Sequence, residues 1–442
     1  MIVFLAIIWV SFSPGQALAV QSQEARIALT YKDGWSRNTF GSSHLPFSPF
    51  VVFTAVLDTP RTRPSLRSLA KEKDLIDILA RVFKPSHKRP DNPPPRIGEV
   101  YFSVLPTAQI SPSVGRALVT ATNAGFYLGD PENTNLSSVN FSAFYNFNNQ
   151  FVLPVRSTLW TDKNRTNFIG DWRFMKYPQD TYGLGAHAPN SNRTKIYHNY
   201  FRFYQAVLRR IGKKYLVGLG YNLDLHYNIR EEGVPPDSVT AFAQYGYGVK
   251  GRSVSSGISF NLLRDSRRNS INPQGGFYTN LVYRINLRPL GSDENWHSVY
   301  LDYRKYMKVR PGSRNIIALW TFAWATVAGH PPYLDLPSIG TDFYGQTGRS
   351  YIQSRYRGKN MLYMEVEYRF VISHSGLLGG VLFVNNHTFS EPDTHRFERV
   401  LPGGGIGLRI KLNRRSRTNI SIDYAWGVNG SAGIYLNIGE AF

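Results

Sequence analysis

From Glu99 onward, apolar and polar residues alternate with a period of two. In Lys214–His226 one set is Tyr215, Val217, Leu219, Tyr221, Leu223 and Leu225. The other is Lys214, Gly218, Gly220, Asn222, Asp224 and His226, interrupted by Leu216. Phe277, Thr279, Leu281, Tyr283, Ile285 and Leu287 alternate with Tyr278, Asn280, Arg284 and Asn286. The pattern returns in Leu362–Phe370, with Glu365, Glu367 and Arg369 between the apolar positions, and in Asn419–Trp426. Successive strand side chains point to opposite faces, so each segment reads as a two-faced β-strand. A soluble sandwich alternates as well. Here, however, the apolar face persists for about ten residues, the length a tilted strand needs to cross hydrocarbon. The other face carries charge and glycine, which a watery lumen tolerates.

Such segments fall at 99–108, 114–128, 137–147, 150–161, 165–178, 194–210, 214–229, 252–264, 276–288, 296–310, 314–328, 360–372, 377–390, 403–413, 417–426 and 431–440. They predict an all-β fold, a sixteen-stranded antiparallel transmembrane barrel over residues 99–442, with the even strand count of single-chain bacterial barrels. Short turns such as Phe147–Gln150 alternate with longer loops, as expected of periplasmic and external ends. The longest connection, 329–359, is too long for a simple turn and is the first place to look for function.

The first part of the chain differs. Residues 2–12 form an apolar run too short to span a bilayer, and Ala17-Leu18-Ala19 resembles a cleavage site, which together predict a signal peptide over 1–19. Residues 20–98 are proline-rich and basic, an expected periplasmic segment with one helix at 71–84. Leu75, Ile76, Ile78, Leu79, Val82 and Phe83 recur there at helical spacing. That helix is expected to dock on the rim of the barrel.

Composition sharpens this picture. Mean hydropathy is −0.29, and no run apart from the N-terminal one approaches the ~20 apolar residues of a membrane helix. With 27 Tyr, 27 Phe and 8 Trp, aromatics reach 14%, enough for girdles at two bilayer interfaces. The absence of cysteine excludes disulfides, a thiol nucleophile and Cys-ligated zinc. No cofactor and no metal are expected. The +21 formal charge brings no nucleic-acid motif with it, so no nucleic-acid partner is expected. It suits anionic surfaces such as lipopolysaccharide phosphates. Asp224 and His226 share one strand face and are a candidate acid–base pair. No nucleophile motif accompanies them, and an enzyme is not expected.

The C-terminal third resembles the bacterial surface-antigen family, the BamA/TamA-like barrels of outer-membrane assembly and translocation. Four stretches carry the resemblance: Arg264–Tyr278 (RDSRRNSINPQGGFY), Thr347–Tyr351 leading into Ser354–Asn360, Gly403–Arg409, and Ile422–Ala425 followed by a terminal strand Gly433–Phe442. In such relatives the loop before the twelfth strand folds back into the lumen, and an R-G-F/Y tip pins it to the wall. The matching tip is Arg349-Ser350-Tyr351, with Ser350 standing where relatives have Gly; Arg355 and Arg357 lie in the same loop. The resemblance implies an acidic wall partner, and Glu365 and Glu367 are the candidates, with Asn385 where relatives often have Asp. The terminal Phe442 resembles the aromatic ending that assembly machinery reads on its barrel clients. Family insertases carry periplasmic POTRA domains, and the 20–98 pattern does not fit one.

These readings imply assistance to protein or lipid insertion or translocation at the outer membrane of a Gram-negative bacterium. The expected partners are outer-membrane lipids including lipopolysaccharide, client outer-membrane proteins, and the assembly machinery during the chain's own insertion. A lateral seam would lie between the first and last strands. There Pro106 cannot donate to a ladder, and Gly430, Gly433 and Gly439 weaken or bend the closing strand. The alternative is a passive pore or a structural barrel.

Overall fold

The computed structural model describes residues 97–442, apart from 112–114, 147–148, 213, 236, 268, 343–344, 346 and 415–416, together with Lys73, Asp74, Leu75 and Ile78. The expected signal segment, nearly all of 20–98 and most of the expected helix lie outside these described residues.

The strands are β1 (Tyr101–Ser111), β2 (Gly115–Phe126), β3 (Ser137–Asn146), β4 (Phe151–Trp160), β5 (Thr166–Lys176), β6 (Gln179–Thr181), β7 (Thr194–Ile211), β8 (Tyr215–Glu232) and β9 (Gly251–Asp265). They continue as β10 (Gly276–Asn286), β11 (Trp296–Lys308), β12 (Ile316–Gly329), β13 (Asn360–Val371), β14 (Leu378–Ser390), β15 (Phe397–Asn413), β16 (Thr418–Gly427) and β17 (Ala432–Ile438). Each pairs antiparallel with its neighbour in sequence. β5 and the three-residue β6 both pair with β7 and make one stave, broken near Pro178, which has no N–H for the ladder. The sheet therefore has the sixteen antiparallel staves that the alternation implies. Its two end strands return side by side, with Cα atoms of β1 and β17 within 8 Å.

Alternation sorts the side chains as the sequence implied. On β8, Leu219 is 56% exposed on the outer face, while Asp224 and His226 are buried in the lumen. Leu216, the interruption in the pattern, points inward and packs with Trp160, Leu208 and Leu263. One end of the barrel carries the turns 161–165, 212–214, 309–315, 372–377 and 414–417, along with the start of β1 and the end of β17. The other carries the connections 182–193, 233–250, 287–295 and 330–359. The short connection between β3 and β4 is at this loop end and not among the short turns, so turn length alone does not mark the side.

Leu75 and Ile78 are helical, and the helix start lies against the turn end. Lys73 N–H donates to the Ser375 carbonyl at 3.1 Å, and Arg414 N–H donates to the Asp74 carboxylate at 2.9 Å.

Candidate functional site

The 330–359 connection turns into the lumen, and Pro331–Ile339 are buried without interruption. Such a buried, non-repetitive backbone needs internal partners for its carbonyls. Arg357 supplies them: its Nη1 donates to the carbonyls of Tyr333, Leu334 and Leu336 at 3.0, 3.3 and 3.0 Å. Asp335 fixes this half of the loop to the wall, bonded to His226 Nε2 at 2.9 Å and accepting from Ser255 Oγ at 2.5 Å. Arg355 Nη2 donates to the Ala188 carbonyl at 2.8 Å, and its guanidinium lies 4.4 Å from the Tyr182 ring centroid. Arg357 is thus an internal staple of the folded loop, and Arg355 ties the loop to the 182–193 connection.

Farther along, Arg349 enters a cluster of acids. Its Nη1 donates to Asp423 at 2.9 Å, its Nη2 donates to Glu365 and Glu367, and its guanidinium lies 3.8 Å from the Phe383 ring centroid. All four charged residues are buried. Removing ions from water is costly, so each acid has further donors. Arg369 reaches Glu367 at 2.5 Å, and Arg409 reaches Asp423 at 2.5 Å and Glu440 at 2.8 Å. Tyr363 and Asn385 donate to Glu365, the latter at 3.2 Å. Burial opposes the Arg349 charge, but the three carboxylates outweigh it and hold its pKa well above the ordinary arginine value. Arg357 goes the other way: its direct acceptors are mostly neutral carbonyls, and burial pulls its pKa down.

Two wall glycines make the close approach possible. A Cβ on Gly403 would lie 2.4 Å from the Ser350 Cβ, and one on Gly427 would lie 2.6 Å from the Tyr351 ring. The room that the Ser350 side chain needs is provided by the wall. Ser350 Oγ accepts from Asn385 Nδ2 at 3.2 Å, and its carbonyl accepts from Ser431 Oγ at 2.8 Å. Tyr351 OH donates to the Pro402 carbonyl at 2.5 Å and accepts from Val428 N–H at 3.2 Å.

At the seam, Pro106 lies in β1 opposite Thr120 of β2. No ladder joins β1 to β17 among the described residues, whereas every other pair of neighbouring staves is laddered. Of the three glycines assigned to the closing strand, only Gly433 lies within β17. Gly430 is in the preceding turn with φ 72°, and Gly439 follows the strand with φ 105°.

The expectation that Gly433–Phe442 forms one strand is corrected. β17 ends at Ile438, and the Phe442 side chain is buried in the lumen. Its ring centroid is 5.1 Å from that of Trp320 and 6.1 Å from that of Tyr306, and its carbonyl accepts from Arg369 Nη2 at 2.9 Å. The left-handed turn at Gly439 lets the chain leave the wall and bury the aromatic ring. Asp224 and His226 do not pair with each other either. Asp224 is held by Arg284 at 2.6 Å, Arg202 at 3.5 Å and the hydroxyls of Tyr200 and Tyr204, while His226 goes to Asp335.

Asp423, Arg369, Arg409 and Glu440 complete the cluster and were not among the site residues expected from the sequence. All but Glu440 stand at lumen-facing positions of the alternation, the one signal that marks them. Between the loop and the wall remains a cavity of about 70 Å³, bordered by Arg202, Asp224, His226, Asp335 and Arg357. That is room for a few waters.

A family model described as the Omp85 superfamily domain matches residues 127–442. No curated protein sequence matches the chain significantly. Among solved structures, BamA from Haemophilus ducreyi lacking POTRA domains 1–3 is similar over 85% of this chain and 82% of its own, at 14% identity and TM-score 0.49. CdiB from Acinetobacter baumannii is similar over 77% of this chain and 66% of its own, at 13% identity and TM-score 0.48. CdiB from Escherichia coli is similar over 78% and 68%, at 11% identity and TM-score 0.49.

Proposed function

Because the chain belongs to the Omp85 superfamily, we propose that it works in the outer membrane of a Gram-negative bacterium, assisting insertion or translocation of other polypeptides. The observation that carries this reading is the seam. β1 and β17 lie within 8 Å of each other without a ladder among the described residues. An unpaired strand edge is a template for another strand. A client strand pairing with β1 or β17 would gain main-chain hydrogen bonds that the closed barrel leaves unmade. The loop packed behind the wall supports a barrel that stays sealed while its side opens. Its partners would then be client barrel proteins, the surrounding lipids including lipopolysaccharide, and the assembly machinery that inserts the chain itself.

The filled lumen speaks against the passive-pore alternative. The test is reconstitution of the purified chain into vesicles, followed by the folding rate of a urea-denatured outer-membrane barrel protein added from outside. The expected result is faster folding than in empty vesicles. Cysteines introduced in β1 and β17 and oxidised to a cross-link should abolish the acceleration, and reductant should restore it. The absence of native cysteine makes that experiment clean. Equal folding rates with and without the chain would refute the proposal.

A further inference from the structure

We propose that the turn end of the barrel carries a binding surface for anionic phospholipid headgroups, centred on Arg209, Arg264 and Lys305. This rests on the reading that the barrel sits in a bilayer.

All three cations stand on the outward face. Arg209 shares its strand face with Val207, which is 45% exposed, and Arg264 shares its face with Phe260, which is 52% exposed. Lys305 has the parity of Leu301, whose cross-strand partner is the outward-facing Leu281. The cations therefore continue the apolar belt directly, where a headgroup begins.

The register places them at about one height. Arg209 lies opposite Val217, and Val217 opposite Leu262, two residues short of Arg264. Arg264 lies opposite Thr279, and Thr279 opposite Tyr303, two residues short of Lys305. Strands in a barrel tilt by about 35–45°, so a row followed along the hydrogen bonds drifts along the barrel axis. A step of two residues for every two strands offsets that drift.

Local geometry supports a phosphate. The Arg264 guanidinium lies 4.4 Å and the Lys305 ammonium 5.5 Å from the centroid of one ring, Phe277. Arg264 Nη1 also donates to Tyr215 OH at 3.4 Å. Two cations beside an aromatic, at the border of an apolar belt, offer a phosphodiester charge and donors while acyl chains lie along the strands.

At the loop end three cations stand in ion pairs: Arg193 with Asp180 at 2.9 Å, Lys195 with Glu232 at 2.8 Å, Arg288 with Glu294 at 2.6 Å. At the turn end, Arg165, Arg209, Arg210, Lys214, Lys308 and Arg310 are exposed and join no ion pair among the described residues. An acidic polypeptide would be met by the turn tips alone. The outward strand positions favour lipid.

The test uses the full-length chain in detergent, exposed to equal amounts of phosphatidylglycerol and phosphatidylcholine and analysed by native mass spectrometry. Wild type should retain phosphatidylglycerol preferentially. Each cation removed should lower the retention ratio about fivefold, the worth of one Lys or Arg near an anionic surface. The triple variant R209Q/R264Q/K305Q should retain the two lipids nearly equally, and K195Q/R288Q at the loop end should keep the wild-type ratio. Gel mobility of unboiled samples checks that each barrel is folded, and single Gln variants give the same reading should the triple variant misfold. Equal retention by wild type, a preference that survives the triple substitution, or displacement of lipid by polyglutamate would overturn the proposal. Flotation with phosphatidylcholine vesicles tests the membrane reading separately: a chain that floats but shows no preference sinks only the headgroup site.

Discussion

Arg349 carries the strongest prediction at the scale of single residues. Three buried carboxylates converge on its guanidinium, and removing it leaves them facing one another with only Arg369 and Arg409 as counter-charges. Breaking a buried ion pair from one side costs about 3–5 kcal/mol. Arg349→Ala should therefore lower the stability of the folded barrel by about that amount, measured by urea titration of the reconstituted chain. Arg349→Lys keeps the charge but not the planar fork that reaches Glu365, Glu367 and Asp423 together, and should recover only part of the loss. A wild-type urea midpoint for Arg349→Ala would show that the cluster contributes nothing.

At the scale of elements, the loop is held in two independent places. Its first half is anchored by Asp335 on β8 and β9, and its tip by the acids of β13 and β16. The tip depends on missing side chains as much as on charges. Gly427→Val would place a branched side chain where the Tyr351 ring now lies, 2.6 Å from a modest Cβ. That substitution should push the tip off the wall while the Arg357 staple remains. The expected readout is protease cleavage within 340–356 in an otherwise heat-resistant barrel. Protection equal to wild type would mean that the tip tolerates displacement of the wall.

On the largest scale, the sheet of the described residues 97–442 behaves as a filled cylinder. Sixteen strands would leave a water-filled lumen, but here the folded loop, the Arg–carboxylate groups around Asp224 and Arg349, and the Phe442 ring occupy it. Planar-bilayer recordings should show low, flickering conductance. Deleting 331–357 with a short glycine–serine bridge should convert it to a steady, large conductance. Large conductance in the intact chain would contradict the packing and restore the passive pore.

Much of this was legible in the sequence because strand periodicity is local. Leu219, Asp224 and Glu365 declare their faces by parity alone, so the sixteen staves and the polar lumen followed from alternation. The length of the 330–359 connection marked it as special, and Arg349 was singled out through resemblance. Which residue meets which was not legible. Asp423 is 74 residues from Arg349 along the chain, and the fold-back of the loop into the lumen brings them together, which periodicity does not encode. His226 pairs with Asp335 and not with Asp224, because a loop folding across the lumen brings a carboxylate that no strand pattern announces. Phe442 shows the same limit: alternation continued the last strand to the end, but a left-handed glycine and a buried aromatic site formed by Trp320 and Tyr306 drew the chain inward. The sequence by itself determined the sheet, its two faces and the polar character of the interior, because these depend on neighbours in the chain. Only the tertiary structure decided what fills the lumen, because that depends on charges and rings meeting across it.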